Sequence, residues 1–210
     1  RNDPVPATAL QFSGGEPTIR QDLFDLIRMA KEVGFRHIEV NTNGLRLAQS
    51  VDYCRGLHEA GMGTVYLQFD GLTSDVYKFT RGTDLLDIKK KALENLRKAG
   101  IRSVVLVVTL IKGVNDHQLG DIIRFAIENF DIVRCVNVQP VSLCGRLPEK
   151  EREKMRITIP DFMKLVEEQT EGKIKPKDFY PVPVVVPISK AVGALKNKRY
   201  AEFTAHPHCG

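Results

Sequence analysis

The chain has no pair of cysteines spaced C-x-x-C, and Cys54, Cys135, Cys144 and Cys209 lie far apart along 210 residues. That spacing excludes a disulfide framework and a zinc site complete within the chain, and a reducing, cytosolic setting is expected. No run of about 18 or more apolar residues occurs, so no transmembrane helix is expected, and no signal peptide opens the chain. Neither phosphate fingerprint, G-x-x-x-x-G-K-[ST] nor G-x-G-x-x-G, is present. Basic residues are scattered around a formal net charge of only +5, without an aromatic-interleaved stripe, so nucleic acid is not an expected partner. The one local cluster, Lys89, Lys90 and Lys91, falls on a predicted helix and reads as its solvated face. The chain starts at Arg1 rather than Met, and "RNDPVPAT" and "HPHCG" read as cuts through a longer polypeptide.

What is present is an ordinary soluble composition, 42% hydrophobic and 27% charged, enough for one large domain or two small ones. Short β-rich runs alternate with amphipathic stretches. "TALQF", "RHIEVNTNG", "TVYLQFDG", "SVVLVVTLI" and "VRCVNVQPV" read as strands, the fourth as one buried on both faces. "IRQDLFDLIRMAKEVG", "LAQSVDYCRGLHEAG", "DLLDIKKKALENLRKAG" and "DHQLGDIIRFAIENF" read as helices. This rhythm implies a parallel α/β sheet, either barrel-like or doubly wound. After Pro140 it breaks into a charged segment, a helix "IPDFMKLVEEQ" and a proline-interrupted apolar run, "YPVPVVVPISKAVGALKNK". Residues 1–145 are read as the core and 146–210 as a C-terminal extension.

In parallel α/β proteins the site gathers at the carboxyl ends of the strands. Here those ends read "SGGEPT", "NTNG", "QFDG", "TLIKGVND" and "NVQPVS". Gly, Asn and Asp are good turn formers, but Gln68, Asn137 and Gln139 are polar side chains inside strand-like runs. Glu16 in "SGGEPT" would repel a phosphate. A carbonyl-rich turn beside a carboxylate suits a cationic amine, and the glycines let backbone approach it closely.

The ordered set "SGGEPT", "NTNG" and "QFDG", each closing a strand, resembles the radical S-adenosylmethionine (radical SAM) superfamily over roughly residues 8–144. The resemblance implies a partial (β/α)6 TIM-like barrel whose first βα unit is missing from this chain. It implies that Gly14, Gly15 and Glu16 present acceptors to the amino group of S-adenosylmethionine. Thr42, Asn43, Gln68 and Asp70 would line the methionine and ribose, and Arg81 would donate to the methionine carboxylate. Asn137, Val138 and Gln139 would lie along the adenine, mainly through backbone. Each has a plainer reading: Arg81 as a surface arginine, Asp70 as a cap, Asn43-Gly44 as a turn, Glu16 as a favourable helix start. Asn137 and Gln139 could bond neighbouring backbone instead.

The family holds its catalytic [4Fe–4S] cluster on a C-x3-C-x2-C motif upstream of the GGE turn, and these 210 residues contain no such motif. The chain is then an excised domain or a relative without the cluster, and excision is the expectation. As the resemblance implies, a reduced cluster passes an electron to S-adenosylmethionine, and a 5′-deoxyadenosyl radical takes hydrogen from an unactivated carbon. No residue of the chain need act as a general base. An electron donor such as ferredoxin or flavodoxin is implied as a partner.

"FDGLTSDVYKFTRG", "QPVSLCGR" and "HPHCG" are similar to segments of the archaeal tetraether lipid synthases, which join lipid alkyl chains carbon to carbon. That resemblance implies a lipid substrate, peripheral contact with a membrane, and Cys209 as a ligand of an auxiliary [4Fe–4S] cluster. Cys54 and Cys135 read as core, Cys144 as a possible ligand. His206 and His208 read as incidental terminal histidines or as metal or proton ligands. "VPVVVPISKAVGAL" would be core or the lining of an alkyl tunnel. The alternatives are a radical SAM enzyme modifying a pterin, peptide or nucleotide, which a polar cavity would favour, and a cluster-less α/β binding domain.

Overall fold

A computed structural model describes residues 7–142, 153–198 and 200. Five parallel strands form one sheet in the order β1 (Ala9–Phe12), β2 (His37–Thr42), β3 (Thr64–Gln68), β4 (Val104–Leu110) and β5 (Val133–Pro140). Spatial order equal to chain order decides between the two expected architectures. A doubly wound sheet reverses its order at a switch point, whereas right-handed crossovers that never reverse place every helix on one face, as in a barrel.

The helices are α1 (Leu23–Glu32), α2 (Leu45–Gln49), α3 (Val51–Ala60), α4 (Ser74–Arg81), α5 (Leu86–Lys98) and α6 (Leu119–Glu128). Helix α1 buries Leu23, Ile27 and Ala30, a spacing of four and three that makes one stripe. Ser50 caps α3 by accepting from the Tyr53 amide at 3.1 Å, and Gly61 ends it in the left-handed region. Helix α4 is not marked by the sequence reading. Eight residues are too short for a periodic signal, and packing of Val76 and Tyr77 makes it.

Register divides the sheet into two unlike faces. Ile38, Val40, Leu67, Leu106 and Val108 are buried against the helices. Paired residues of neighbouring strands share a face, so Gln11, Glu39, Asn41, Tyr66, Gln68, Thr109, Asn137 and Gln139 lie together on the other. These residues are half-buried or exposed, and the face they share is predominantly polar, although buried Thr64 and Val105, together with Val107 and Cys135, also lie on it. Strand β4 is therefore not sealed on both sides, as Val107 and Thr109 are half-buried. Cys54 is buried in the core as expected. Cys135 is not, because it lies on β5 at the edge of the sheet, where it is exposed.

The compact unit around the sheet runs Thr8–Thr158. The amide of Lys112 donates to the Met155 carbonyl at 3.3 Å, which carries the later residues back onto the strand ends. The other unit takes in the chain from Ile159 onward, with helices α7 (Ile159–Gln169) and α8 (Val186–Lys196). Helix α8 buries no residue, and Val182, Val184, Ile188 and Leu195 are exposed, so among the described residues nothing encloses them. No helix among the described residues is long and apolar enough to cross a membrane. Cys144, His206, His208 and Cys209 lie outside the described residues.

Candidate functional site

The turn after β1 contains two glycines with different duties. Gly14 has φ +125, a conformation that side chains rarely adopt. Gly15 has no such conformation, and a Cβ there would meet nothing within 4 Å. Neither backbone conformation nor packing among the described residues requires glycine at 15. A cavity of about 400 Å³ opens there, lined in part by Phe12, Ser13, Gly15 and Arg20. No described backbone amide donates to the Gly14 or Gly15 carbonyls.

Glu16 departs from its expected place among the outward acceptors. Its Oε1 accepts from the Thr18 amide at 3.1 Å and from the Thr18 and Thr42 hydroxyls, both at 2.6 Å. Its Oε2 accepts from the Asn43 amide at 2.7 Å, and its carbonyl accepts from the Ile19 amide at 3.2 Å. The side chain thus caps the 3-10 turn Pro17–Ile19 and ties the end of β1 to the end of β2. Thr42 is likewise turned inward, only 3% exposed, and its hydroxyl accepts from the Gly44 amide at 3.1 Å. Asn43 is half-buried, and its Oδ1 accepts from the Leu45 amide at 2.9 Å.

Asp70 is also placed differently from the expected ribose contact, because it is completely buried. Its carboxylate accepts from Gln68 Nε2 and Arg81 Nε, both at 2.7 Å, and from Arg81 Nη2 and the Thr109 amide, both at 3.2 Å. Arg81 therefore carries an internal ion pair rather than standing as an unattached surface cation. Its Nη1 has no partner among the described residues, and its side chain is 35% exposed, so one edge of the fork remains available to an anion. Asn137 and Val138 are half-buried and Gln139 is exposed. Register sets Asn137 opposite Val107 and Gln139 opposite Thr109, on the polar face, with Val138 on the helix side.

Two residues that the sequence reading does not assign to the site complete it. Lys89, expected on a solvated face with Lys90 and Lys91, is fully buried, whereas its two neighbours are exposed. Its Nζ donates to the Asn43 carbonyl at 2.5 Å and to Gln68 Oε1 at 3.3 Å. Burial pushes its pKa down to about 8, and Arg81 adds to the fall, against the opposing pull of Asp70 and Glu16. The only available signal was helical phase: Lys89 lies on the stripe of Ala92, Leu93 and Leu96. The second residue, Asn115, is buried in "KGVND" and donates to the Asp70 carbonyl at 2.7 Å and to the Thr109 carbonyl at 2.8 Å.

The result is one connected network along the carboxyl rim, running Glu16–Asn43–Lys89–Gln68–Asp70–Arg81 across the ends of β1 to β4. Two carboxylates and two cations alternate along it, so no member is buried without a counter-charge nearby.

The profile "Radical SAM superfamily" matches residues 4–126, more than half of the chain. The chain belongs to the radical SAM superfamily, whose cofactors are S-adenosylmethionine and a [4Fe–4S] cluster. It is 53% identical, over all of its 210 residues, to a 7,8-dihydro-6-hydroxymethylpterin dimethyltransferase of Methanocaldococcus jannaschii, of which it covers 41%. It is 31% identical over 175 residues, 82% of this chain, to a probable GTP 3′,8-cyclase of Sulfurisphaera tokodaii, of which it covers 53%. The chain thus spans about two fifths to half of the curated relatives it matches. The structure of Streptococcus suis SuiB bound to S-adenosylmethionine matches with a TM-score of 0.54 at 18% identity, covering 80% of this chain and 36% of that one, and shares the fold.

The residues present suit one of the two cofactors. Open space at Gly15 and uncommitted carbonyls beside it fit a bound amine. For the cluster, the described residues include no group of three or more His, Cys, Asp or Glu side chains that could hold a metal ion. Cys54 is inert for that purpose, its thiol pushed up to about 11 by burial.

Proposed function

We propose that this chain is the S-adenosylmethionine-binding barrel segment of a radical SAM enzyme that modifies a reduced pterin, with methylation as the reaction class. The observation that carries the substrate class is the polar face of the sheet. Gln11, Glu39, Asn41, Tyr66, Gln68, Asn137 and Gln139 offer donors and acceptors to a flat heterocycle bearing ring N–H, amino and carbonyl groups. An alkyl chain against the same face would dry these groups while offering no partner for the hydrogen-bonding capacity they have left, at about 1–3 kcal/mol for each one left unmet. The relatives point the same way, and none of those described above acts on lipid by its name. The pterin alternative is therefore favoured over coupling of lipid chains.

S-adenosylmethionine, when bound, supplies the radical chemistry. The chain's own residues bind and orient it. The Gly14 and Gly15 carbonyls receive its amine, Arg81 Nη1 receives its carboxylate, and the β5 backbone at Asn137 to Gln139 lies along its adenine. Asn43 and Gln68 stand between, beside the substrate face. A one-electron donor such as a ferredoxin or flavodoxin is the partner this reading requires.

The test is mass spectrometry after incubating the complete, reconstituted polypeptide with S-adenosylmethionine, a reductant and a reduced pterin. A pterin product heavier by one or two methyl groups is expected. An unmodified pterin alongside altered lipid or nucleotide masses would overturn the substrate assignment.

A further inference from the structure

Lys89 is an unusual residue to find at the centre of a sheet–helix interface. It projects from α5, which packs against α2 and α3, and its ammonium reaches groups at the ends of β2 and β3. Its ammonium is fully buried, with the Tyr77 ring centroid 6.0 Å away and two acceptors on different strand ends. A well-packed leucine would cost less to bury, so fold stability alone does not explain a cation here.

The two acceptors do explain it. The Asn43 peptide is held from both sides, its amide by Glu16 and its carbonyl by Lys89. Gln68 is oriented in the same way. With Oε1 facing Lys89, its Nε2 is forced towards Asp70, which it reaches at 2.7 Å. A flipped Gln68 would set its oxygen against the Asp70 carboxylate, two acceptors in contact. The direction of the chain from Asn43 to Arg81 is thus set from both ends, by the acceptor at Asp70 and by a donor-only group at 89.

We propose that Lys89 is a positioning residue for the S-adenosylmethionine site, acting through Asn43 and Gln68 to fix Asp70 and hence the guanidinium of Arg81. The inference rests on the rim being that site. Lys89 touches no ligand itself. Its contribution is to remove the alternative orientations of two rim residues before the cofactor arrives, which lowers the cost of binding. The charged groups facing it are Asp70, Arg81 and Glu16, with Tyr77 on α4, so its titration changes the charge balance of the same rim.

The experiment is a double-mutant cycle on S-adenosylmethionine affinity, measured by calorimetry on the complete polypeptide with Lys89→Met, Gln68→Leu and both together. Each single change is expected to weaken binding about tenfold, and the double change no more than either alone, because both break one link. A merely structural role would give losses that multiply, and that outcome overturns the proposal. So does unchanged affinity in a folded Lys89→Met protein. The wild-type affinity is further expected to fall as pH rises through about 8, beyond any fall shared by Lys89→Met; parallel profiles overturn the proposal. If Lys89→Met fails to fold, Gln68→Leu and the wild-type pH profile decide together, and undiminished binding in the one with an affinity flat through about pH 8 in the other overturns the proposal. A wild-type protein that binds no S-adenosylmethionine overturns the site itself, an outcome distinct from a wild type that binds and a variant that binds equally well.

Discussion

Arg81 Nε lies 2.7 Å from Asp70 Oδ2, and the carboxylate it meets is completely buried. Coulomb attraction at that depth is strong, but so is the cost of drying both charges, and the Asp70 carboxylate also accepts from Gln68 Nε2 and the Thr109 amide. Arg81→Met is expected to destabilise the protein by about 3 kcal/mol, since it leaves a buried carboxylate without its cation. Adding Asp70→Asn should recover part of that loss. Urea unfolding of the two singles and the double checks it, and simple additivity would contradict the pairing.

The glycines at 15 and 44 should respond oppositely to a side chain. Gly15→Val is expected to leave the unfolding midpoint nearly unchanged and to abolish S-adenosylmethionine binding, because the added methyls enter open space that the ligand needs. Gly44→Ala should destabilise the fold by roughly 1–3 kcal/mol, because φ is +78 and the new Cβ would lie 2.5 Å from Leu67 Cδ1. Thermal unfolding paired with binding calorimetry separates the two.

Glu16→Gln keeps the shape of the side chain but replaces one acceptor oxygen with an NH2 group. One end of the Thr18–Thr42–Asn43 set then faces a donor instead of an acceptor. A loss of about 1–3 kcal/mol is expected, read as a lower denaturation midpoint with the cooperativity preserved.

Lys89 makes stability depend on alkaline pH with a definite sign. In the folded state it releases its proton near pH 8, against 10.5 for an unburied lysine. Between those values the unfolded chain binds the extra proton, so stability rises with pH across that window. The contribution is on the order of 3 kcal/mol. It is absent below the window, where both states are charged. Denaturant midpoints of wild type and Lys89→Met, compared at either end of the window, should differ by this rise. Parallel midpoints would show that the folded lysine keeps an ordinary pKa.

Much of the fold was legible because it is local. The 2-residue and 3.6-residue periods of β1 to β5 and of α1, α3, α5 and α6 come from which face each residue buries. Helix α4 was not legible, because eight residues hold barely two turns and its order comes from Tyr77 packing. At the site, "SGGEPT", "NTNG" and "QFDG" located the rim, since polar groups straight after apolar strands have few structural uses. The direction in which each side chain points was not legible. Glu16, Thr42 and Asp70 face inward to partners contributed by strands and loops 26 to 39 residues away. Lys89 was hidden for the converse reason. Its helical phase put it on the apolar stripe, and a lysine there reads as solvated unless a distant acceptor is known to await it.

By itself the sequence determined the βα rhythm, the polar strand ends and the family resemblance, because these depend on neighbours within a few residues. Tertiary structure alone decided that the sheet is wound in one direction, that one of its faces is polar, and that four charges close a network behind the rim. Those properties depend on register between strands, and a shift of one residue would turn every side chain to the opposite face.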